Sequence, residues 1–542
     1  MNKLNYKSLQ YFILIFFGFL SVSCSSHTPQ ELGKEGFIKG FMGGIVADEP
    51  RAVLEGNKVL ASGGSAADAA TAAYFTLAVT LPSKASLGGG GVCIVYDPKT
   101  NKVESLDFLS RLPSDIEASR SRPSAIPGNP LGIFALHTRY GRFQWSSLVS
   151  VGEKLARFGT QASRTLVRDI RQVKGALLAD EGSRSIFIKK NGSVIKEGDY
   201  FRQIALAVSL SNLRQFGPTD FYNGRLAKVL VNSVKGVYGT LEVEDLKKFR
   251  PIWRETLNLK FGLNEISFVQ PPAYGGVTAA QIFQIFDNNN LFQDASEQEQ
   301  FHIMVEAVRR VNLDKQRWLS DDFSLIGNVS DLISNEYANK LMKNFKKDRY
   351  TKLSSKHARL NKKIENPSAT GLVVVDREGL TITCSFTMNN IFGNGRLATG
   401  TGIMLAAAPI NIGKGPSALG PIIVRNKNSK NLFFTGTASG GAPSITALMH
   451  VFAGVMINKK TLREALYMPR VHNGGIPSIT FYEPTLDKVI QKYLLNGGHK
   501  MLEIPNLGLV NAIYCPGGLP RVEACQIETD PRGSGLAKGA TK

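Results

Sequence analysis

Residues 367–402 read PSATGLVVVDREGLTITCSFTMNNIFGNGRLATGTG, the most informative stretch of the chain. It contains an apolar run, Leu372–Val375, and a second run of alternating character, Leu380–Phe386. Between the two runs lies Asp376–Gly379, whose residue types favour a tight turn. Two strand-like runs joined by a short polar segment with a glycine are typical of a β-hairpin, and the sequence predicts one here.

A hydroxyl residue, Thr370, stands just ahead of the first strand, with Gly371 beside it. Upstream of it, Thr351–Asn366 is polar and basic and has no apolar periodicity. An irregular segment, then a threonine, then a central strand is the layout of an enzyme that cuts its own chain and uses the freed threonine as nucleophile. Thr370 is therefore the first candidate for a catalytic residue.

The composition fits a globular protein and gives no sign of nucleic-acid binding. Of the 542 residues, 43% are apolar and 20% are charged, which allows a packed core without a cofactor. The net charge is +21, but the lysines and arginines are spread along the chain and no nucleic-acid-binding motif accompanies them. We therefore expect no nucleic-acid partner. No cysteine and histidine cluster has metal-ligand spacing, so we expect neither a metal nor a cofactor.

The N-terminus has the pattern of a bacterial secretion signal. Two lysines precede an apolar run, Tyr11–Leu20, that is about half the length needed to cross a bilayer. Small residues and Cys24 follow, in an arrangement similar to a lipobox, in which the cysteine is lipidated. We predict a signal over residues 1–23, a linker over 24–40, and a periplasmic protein anchored to the membrane by a lipid at Cys24. Cleavage to a soluble periplasmic protein is the alternative.

The four remaining cysteines fall into two pairs with different expected roles. Cys93 and Cys384 lie within strand-like apolar runs and are interpreted as buried small hydrophobic residues. Cys515 and Cys525 flank a Pro-Gly-Gly turn, and an oxidising compartment would allow them to pair. Their spacing permits a disulfide without requiring one.

From Ala47 onward the pattern is mixed α/β. Residues 63–70, GGSAADAA, open an alanine-rich helix, and small residues of this kind predict close packing against a sheet. Four glycines at 88–91 lead into a strand, whereas phosphate-binding loops place their glycines between a strand and a helix, so phosphate binding is rejected. Residues 145–345 are mostly helical in pattern, and strands return after Pro367.

Taken in order, these motifs resemble those of the gamma-glutamyltranspeptidase family, also called glutathione hydrolases. The matching motifs run from around residue 40 to the C-terminus: GGSAADAA at 63–70, the glycines at 88–91, Pro127-Gly128, FYNG at 221–224, the PP and GG pairs within 271–276, FTMN at 386–389, GIML at 402–405, and Gly440-Gly441. The resemblance implies an α/β fold, the αββα four-layer sandwich of N-terminal-nucleophile hydrolases. It also implies a large-subunit part, residues 41–369, and a small-subunit part, residues 370–542, if the chain cuts itself.

The resemblance implies a mechanism without a cofactor. A threonine freed by self-cutting attacks a γ-glutamyl amide, its own α-amine acts as general base, and an acyl-enzyme forms before water or an amine takes the acyl group. Gly440 and Gly441 match the backbone pair that stabilises the oxyanion. Thr387 and Asn389 match residues that support the nucleophile and the substrate carboxylate. The implied partners are a small γ-glutamyl or other acyl-amide substrate and the two subunits themselves.

The chain departs from the family at the nucleophile. Counting back from Val374-Val375-Asp376, the family's threonine position holds Ala369, and Thr370 is the next residue. Because side chains of a strand alternate between its faces, a shift of one residue normally turns a group away from the site. Thr370 would serve as nucleophile only if the start of the strand slips or bulges; otherwise it is a structural residue.

The residues that hold a glutamyl group also differ. Leu109 occupies the position of the arginine that binds the α-carboxylate, and Arg111, two residues later, is the candidate to replace it. The segment that follows GIML reads AAAPIN and lacks the carboxylate that binds the α-amine. Of the family's serine pair only Ser417 remains, and an extra residue, Ser439, precedes the glycine pair. The predicted glutamate site is therefore largely lost while the fold is kept.

Three functions are open on the sequence. The first is amide hydrolysis or acyl transfer by a self-processing enzyme, gamma-glutamyltransferase- or glutathione hydrolase-like, with altered acyl specificity. The second is a catalytically inactive relative that acts as a periplasmic binding or scaffold lipoprotein. The third is a true glutathione-degrading enzyme with compensating residues elsewhere.

Overall fold

The computed structural model describes residues 40–116, 122–236, 239–320, 324–353, 368–409, 418–520 and 524–541. Within these ranges the chain forms strands and helices that alternate up to residue 268, then mostly helices, then mostly strands. The strands are β1 (Phe41–Ala47), β2 (Gly90–Asp97), β3 (Lys102–Phe108), β4 (Thr160–Gln161), β5 (Tyr200–Phe201), β6 (Ile252–Glu255), β7 (Leu257–Phe261), β8 (Asn264–Phe268), β9 (Ala369–Asp376), β10 (Thr381–Thr387), β11 (Leu397–Ala398), β12 (Ile403–Met404), β13 (Ile422–Asn426), β14 (Asn431–Ser439), β15 (Val471–His472), β16 (Thr480–Tyr482), β17 (Met501–Glu503), β18 (Leu509–Leu519), β19 (Gln526–Thr529) and β20 (Leu536–Thr541).

The α-helices are α1 (Pro50–Ala61), α2 (Ala66–Thr80), α3 (Pro82–Ala85), α4 (Asn129–Tyr140), α5 (Trp145–Phe158), α6 (Arg164–Leu178), α7 (Glu181–Phe187), α8 (Ile204–Phe216), α9 (Thr219–Asn223), α10 (Arg225–Lys235), α11 (Val243–Lys248), α12 (Gly275–Asp287), α13 (Glu297–Trp318), α14 (Val329–Leu332), α15 (Asn335–Met342), α16 (Ser444–Phe452), α17 (Leu462–Tyr467) and α18 (Lys488–Asn496).

Two sheets pack face to face at the centre of the molecule. One has the strand order β20-β1-β9-β10-β2-β3-β6 and the other the order β19-β18-β14-β13-β8-β7. The core between them contains Val373 and Val375 from the first sheet and Ile423 and Ile513 from the second. Helices that include α1 and α2 cover the outer face of the first sheet, and α12 and α16 cover that of the second. The predicted αββα four-layer sandwich is confirmed.

The predicted hairpin is also confirmed. Strands β9 and β10 pair antiparallel in the middle of the first sheet. At the turn, Asp376 Oδ1 accepts hydrogen bonds from the N–H groups of Glu378 at 2.9 Å and Leu380 at 3.1 Å. Gly379 has a φ of +88°, a left-handed conformation that favours glycine. The carboxylate and the glycine together fix the turn, and thereby the register of the two strands.

The alanine-rich helix α2 packs closely, as predicted. All fifteen of its residues are buried. It begins with a capping box, in which Ser65 Oγ accepts from the N–H of Asp68 and the Asp68 carboxylate accepts from the N–H of Ser65 at 2.8 Å. The N–H of Ala66, at the start of this helix, donates to Asp376 Oδ2 at 3.0 Å. This hydrogen bond joins the helix to the turn of the hairpin.

Two disulfides are present in the described chain. Cys515 is bonded to Cys525, the pairing that the sequence permitted. Cys93 is bonded to Cys384, so their interpretation as unpaired hydrophobic residues is wrong. Both are fully buried, as expected, but the register of β2 and β10 places them directly opposite each other with a Cα–Cα distance of 4.0 Å.

Among the described residues, no helix combines the length and the hydrophobicity that a membrane span requires. The predicted secretion signal and Cys24 lie outside the described residues, as does all but the last residue of the predicted linker.

Candidate active site

The candidate site lies where β9 begins and β10 ends. Ala369 is directly opposite Thr387 in the pairing of these strands. Two residues earlier on β10, Ser385 bonds to Thr437 of β14 across the two sheets, with 2.6 Å between the hydroxyl oxygens. Because side chains two apart share a face, Thr387 and its partner Ala369 also face the second sheet. Ala369, which counting along the sequence predicts at the nucleophile position, therefore lies between the sheets and carries only a methyl group.

Thr370 points to the opposite face of β9. It is paired with Phe386, whose ring packs on the helix side of the sheet against Tyr74. Thr370 is fully buried, and its hydroxyl donates to Asp48 Oδ2 at 2.9 Å. Strand alternation thus separates Thr370 from Thr387, as counting from the sequence indicated.

Asp48 follows β1 and connects the ends of four strands. Besides Thr370, its carboxylate accepts hydrogen bonds from the N–H of Gly371 at 3.3 Å, Ser439 Oγ at 3.2 Å and Asn511 Nδ2 at 2.8 Å. A buried carboxylate needs such donors, and the Thr370 hydroxyl supplies one of them. The role of Thr370 as nucleophile stays a prediction, and its placement on Asp48 does not favour it.

A polar cluster surrounds Thr387 on the face between the sheets. Its Oγ1 lies 3.2 Å from Ser368 Oγ and accepts the N–H of Asn389 at 2.9 Å. Asn389 has a φ of +62°, and its side-chain amide donates to Ser110 Oγ at 3.1 Å and to the Ala407 carbonyl at 2.8 Å. The structure brings the predicted Thr387 and Asn389 together and adds Ser368 and Ser110 to them.

Gly440 and Gly441 directly follow β14, at the same end of the sandwich. Since Thr437 is level with Ser385, two residues further along each strand bring Ser439 level with Thr387, and the glycine pair comes next. Their φ angles are +116° and +79°, which favour glycine. Among the described residues, none accepts a hydrogen bond from either N–H.

Arg111, the predicted partner of the substrate carboxylate, is already paired with an acidic residue of the protein. The Arg111 guanidinium lies 3.3 Å from Asp107 Oδ2 and 5.8 Å from the centre of the Phe249 ring. Arg254 binds the same Asp107 oxygen at 3.0 Å. Leu109 is buried in the core between the sheets. Substrate binding by Arg111 stays a prediction, and its guanidinium would have to leave Asp107 to serve it.

The α-amine side of the predicted pocket is apolar in the described chain. Ala406, Ala407 and Ala408 are all buried, and the sequence of residues 406–417 contains neither aspartate nor glutamate. Ser417, the remaining member of the predicted serine pair, lies outside the described residues. Nothing in this segment offers a carboxylate to a substrate ammonium group.

Sequence reasoning missed Asp48, Asn511 and Ser110 as parts of the site. Their partners are distant along the chain: Thr370 is 322 residues from Asp48, and Asn389 is 279 residues from Ser110. The only local indication is position, because Asp48 directly follows β1 and Ser110 follows β3 by two residues. Within the described ranges, no group of three or more histidine, cysteine, aspartate or glutamate residues is arranged to hold a metal ion.

The model of the family described as Gamma-glutamyltranspeptidase matches residues 52–540 of this chain. The chain belongs to the gamma-glutamyltranspeptidase family. Among its relatives, Glutathione hydrolase 3 of Arabidopsis thaliana is 26% identical over 88% of this chain and 81% of that protein. The Glutathione hydrolase proenzyme of Pseudomonas aeruginosa is 26% identical over 91% of this chain and 94% of its own length.

The fold of the gamma-glutamyltranspeptidase family is also seen in a solved structure that matches this chain almost throughout. The cephalosporin acylase from Bacillus halodurans superposes with a TM-score of 0.80 at 20% identity, covering 95% of this chain and 98% of the acylase. At that identity the likeness shows the fold alone, the αββα sandwich of N-terminal-nucleophile hydrolases. The relatives named above are gamma-glutamyltranspeptidase-family enzymes, and one of them is named a proenzyme.

Proposed function

We propose that this chain is a self-processing amide hydrolase or acyltransferase whose preferred acyl group is not γ-glutamyl. The observation that carries the proposal is the polar cluster of Ser368, Thr387 and Asn389, which lies at the same end of the sandwich as the Gly440–Gly441 pair. Thr387 orients a hydroxyl nucleophile, Asn389 holds Thr387, and the two glycine N–H groups stabilise the tetrahedral oxyanion. This arrangement supports the proposal that the nucleophile support and the oxyanion donors implied by the family resemblance are kept in this chain.

The altered acyl specificity is supported by the groups that face the acyl chain. Arg111 is paired with Asp107, and the alanines at 406–408 offer no carboxylate to an α-amine. A charged amine brought into such a site loses its water without gaining a partner, which is costly. An acyl group without that amine avoids this cost.

Export from the cytoplasm is part of the proposal. The two disulfides are typical of proteins that fold in an oxidising compartment such as the periplasm. The N-terminal pattern supports the same location, with a lipid on Cys24 as the proposed membrane anchor.

A second candidate function is that of a catalytically inactive binding or scaffold protein, which would bind a ligand in the pocket that corresponds to the family's substrate site. Ala369 favours it, because the family's nucleophile position has lost its hydroxyl. An inactive protein would stay one uncut chain and turn over no acyl amide.

Two anilides that differ by one amine distinguish these readings. Purified full-length protein, first incubated to allow self-cutting, is given γ-glutamyl-anilide or glutaryl-anilide, which lacks only the α-amine. We expect glutaryl-anilide to be hydrolysed with a kcat/KM about 10-fold or more above that of γ-glutamyl-anilide, because the ammonium group finds no carboxylate. Preference for γ-glutamyl-anilide would instead support a true glutathione hydrolase. An uncut chain without turnover would support the inactive protein.

A further inference from the structure

Three consecutive residues stand where the nucleophile is expected, and two of them carry hydroxyls. Ser368 precedes Ala369, and Thr370 follows it. The Ser368 side chain is buried, with 4% of the residue exposed, and its Oγ lies 3.2 Å from Thr387 Oγ1. Of the two hydroxyls, the Ser368 hydroxyl is the one that contacts the residue expected to support the nucleophile.

The Thr370 hydroxyl makes a hydrogen bond to another part of the protein. It donates to Asp48, whose carboxylate also accepts hydrogen bonds from Ser439 and Asn511. Turning Thr370 toward Thr387 would break its hydrogen bond to Asp48 and reverse the face of the strand's first residues. Ser368 needs no such change, because it precedes the first ladder pair, Ala369 with Thr387.

We propose that Ser368 is the nucleophile of this chain and that self-cutting occurs at the peptide bond that precedes it. The assignment rests on the proposed function and names the catalytic residue of that same site. Serine and threonine both attack through a hydroxyl oxygen, so the loss of the family's threonine at Ala369 leaves the chemistry in place.

The cutting step balances with water as the only co-reactant. Ser368 Oγ attacks the carbonyl carbon of residue 367, the C–N bond to Ser368 breaks, and the hydroxyl proton ends on the departing nitrogen. Water then hydrolyses the resulting ester, which frees the carboxylate of residue 367 and restores the hydroxyl. The Ser368 nitrogen is now an α-amine, whose ordinary pKa near 8 suits a general base at neutral pH.

The same atoms then perform turnover. The α-amine takes the proton from Ser368 Oγ as that oxygen attacks the acyl amide, and it gives the proton to the departing amine. The N–H groups of Gly440 and Gly441, which follow β14 at the level where β10 ends, stabilise the charge on the carbonyl oxygen. Water or an acceptor amine removes the acyl group from Ser368.

The experiment is to identify the first residue of the small fragment. Full-length protein is incubated, reduced, separated on a denaturing gel, and the smaller product is examined by N-terminal sequencing and intact mass. We expect a fragment of residues 368–542 that begins Ser-Ala-Thr. Ser368→Ala should give no fragment, Ser368→Thr should still cut, and Thr370→Val should cut at the same bond as the wild type.

Each other result is informative. A fragment that begins at Thr370, or loss of cutting in a folded Thr370→Val protein, overturns the assignment to Ser368 while the proposed function stands. Cutting by Ser368→Ala at the wild-type rate overturns it as well. A wild-type chain that stays whole overturns the proposed function together with the assignment. Circular dichroism and thermal melting show that each variant is folded.

Discussion

Replacing Gly441 with alanine is expected to slow both self-cutting and turnover by about 10²- to 10³-fold, the usual effect of losing one oxyanion donor. The φ of +79° at Gly441 lies in the left-handed region, so an alanine there tends to rotate the peptide out of position. The N–H would then no longer point at the place where the negative charge develops. Single-turnover cutting and steady-state kcat measure the effect.

Gly63→Ala is the matched control for this variant. Gly63 has a φ of +87°, and an added Cβ there would meet no atom within 4 Å. The control therefore introduces the same backbone strain without a clash and away from the site. Equal loss of activity in both variants would contradict an oxyanion role for Gly441, since backbone strain alone would then explain the loss.

Acidification from pH 7 to pH 5 is expected to lower the free energy of unfolding by about 4 kcal/mol. Burial lowers the pKa of His450 to about 3, of His472 to about 4 and of His499 to about 3. The unfolded chain takes up these protons below its ordinary histidine pKa near 6.5, while the folded chain does not. Stability from the histidines is therefore complete above pH 6.5 and is lost as pH falls toward 4.

Asp376 acts in the opposite direction. Burial raises its pKa to about 6, so the folded chain binds this proton more readily than the unfolded chain, and stability is gained as pH falls through 6. Three histidines lower the free energy of unfolding on acidification and one aspartate raises it, so the net change is the loss of about 4 kcal/mol given above. Urea unfolding midpoints between pH 8 and pH 5 measure it.

His472→Gln tests the origin of this pH dependence. At pH 8 the variant reports only the packing cost, which includes the lost contact between His472 Nδ1 and Thr446 Oγ1 at 2.9 Å. Between pH 8 and pH 5 the free energy of unfolding should fall less in the variant than in the wild type, because the variant takes up one proton fewer on unfolding. An unchanged pH dependence would mean that other groups cause the acid sensitivity.

The sequence predicted those parts of the site that depend on contiguous residues. The hairpin could be found because both strands and their turn lie within 19 residues of chain, 369–387. Counting along the first strand placed Ala369 at the nucleophile position, and the structure puts it opposite Thr387. Alternation along a strand is local and regular, so it can be read without a structure.

Contacts between distant segments could not be predicted in this way. The bond between Thr370 and Asp48 depends on β9 lying next to β1, a pairing that no local pattern specifies. The Cys93–Cys384 disulfide depends on the register of β2 against β10, across 291 residues of chain. One residue of slip in that register would leave the two cysteines on opposite faces.

The Cys93–Cys384 disulfide has a consequence for the mature protein, because Cys93 precedes the proposed cut and Cys384 follows it. Self-cutting breaks the main chain but leaves this second covalent path intact, so the two products form a covalently linked heterodimer. Cys515–Cys525 lies wholly on the C-terminal side and adds nothing to this link. A protein cut at this bond cannot lose its smaller subunit by dilution or denaturation, and only a reductant that reaches the buried disulfide would let the halves separate.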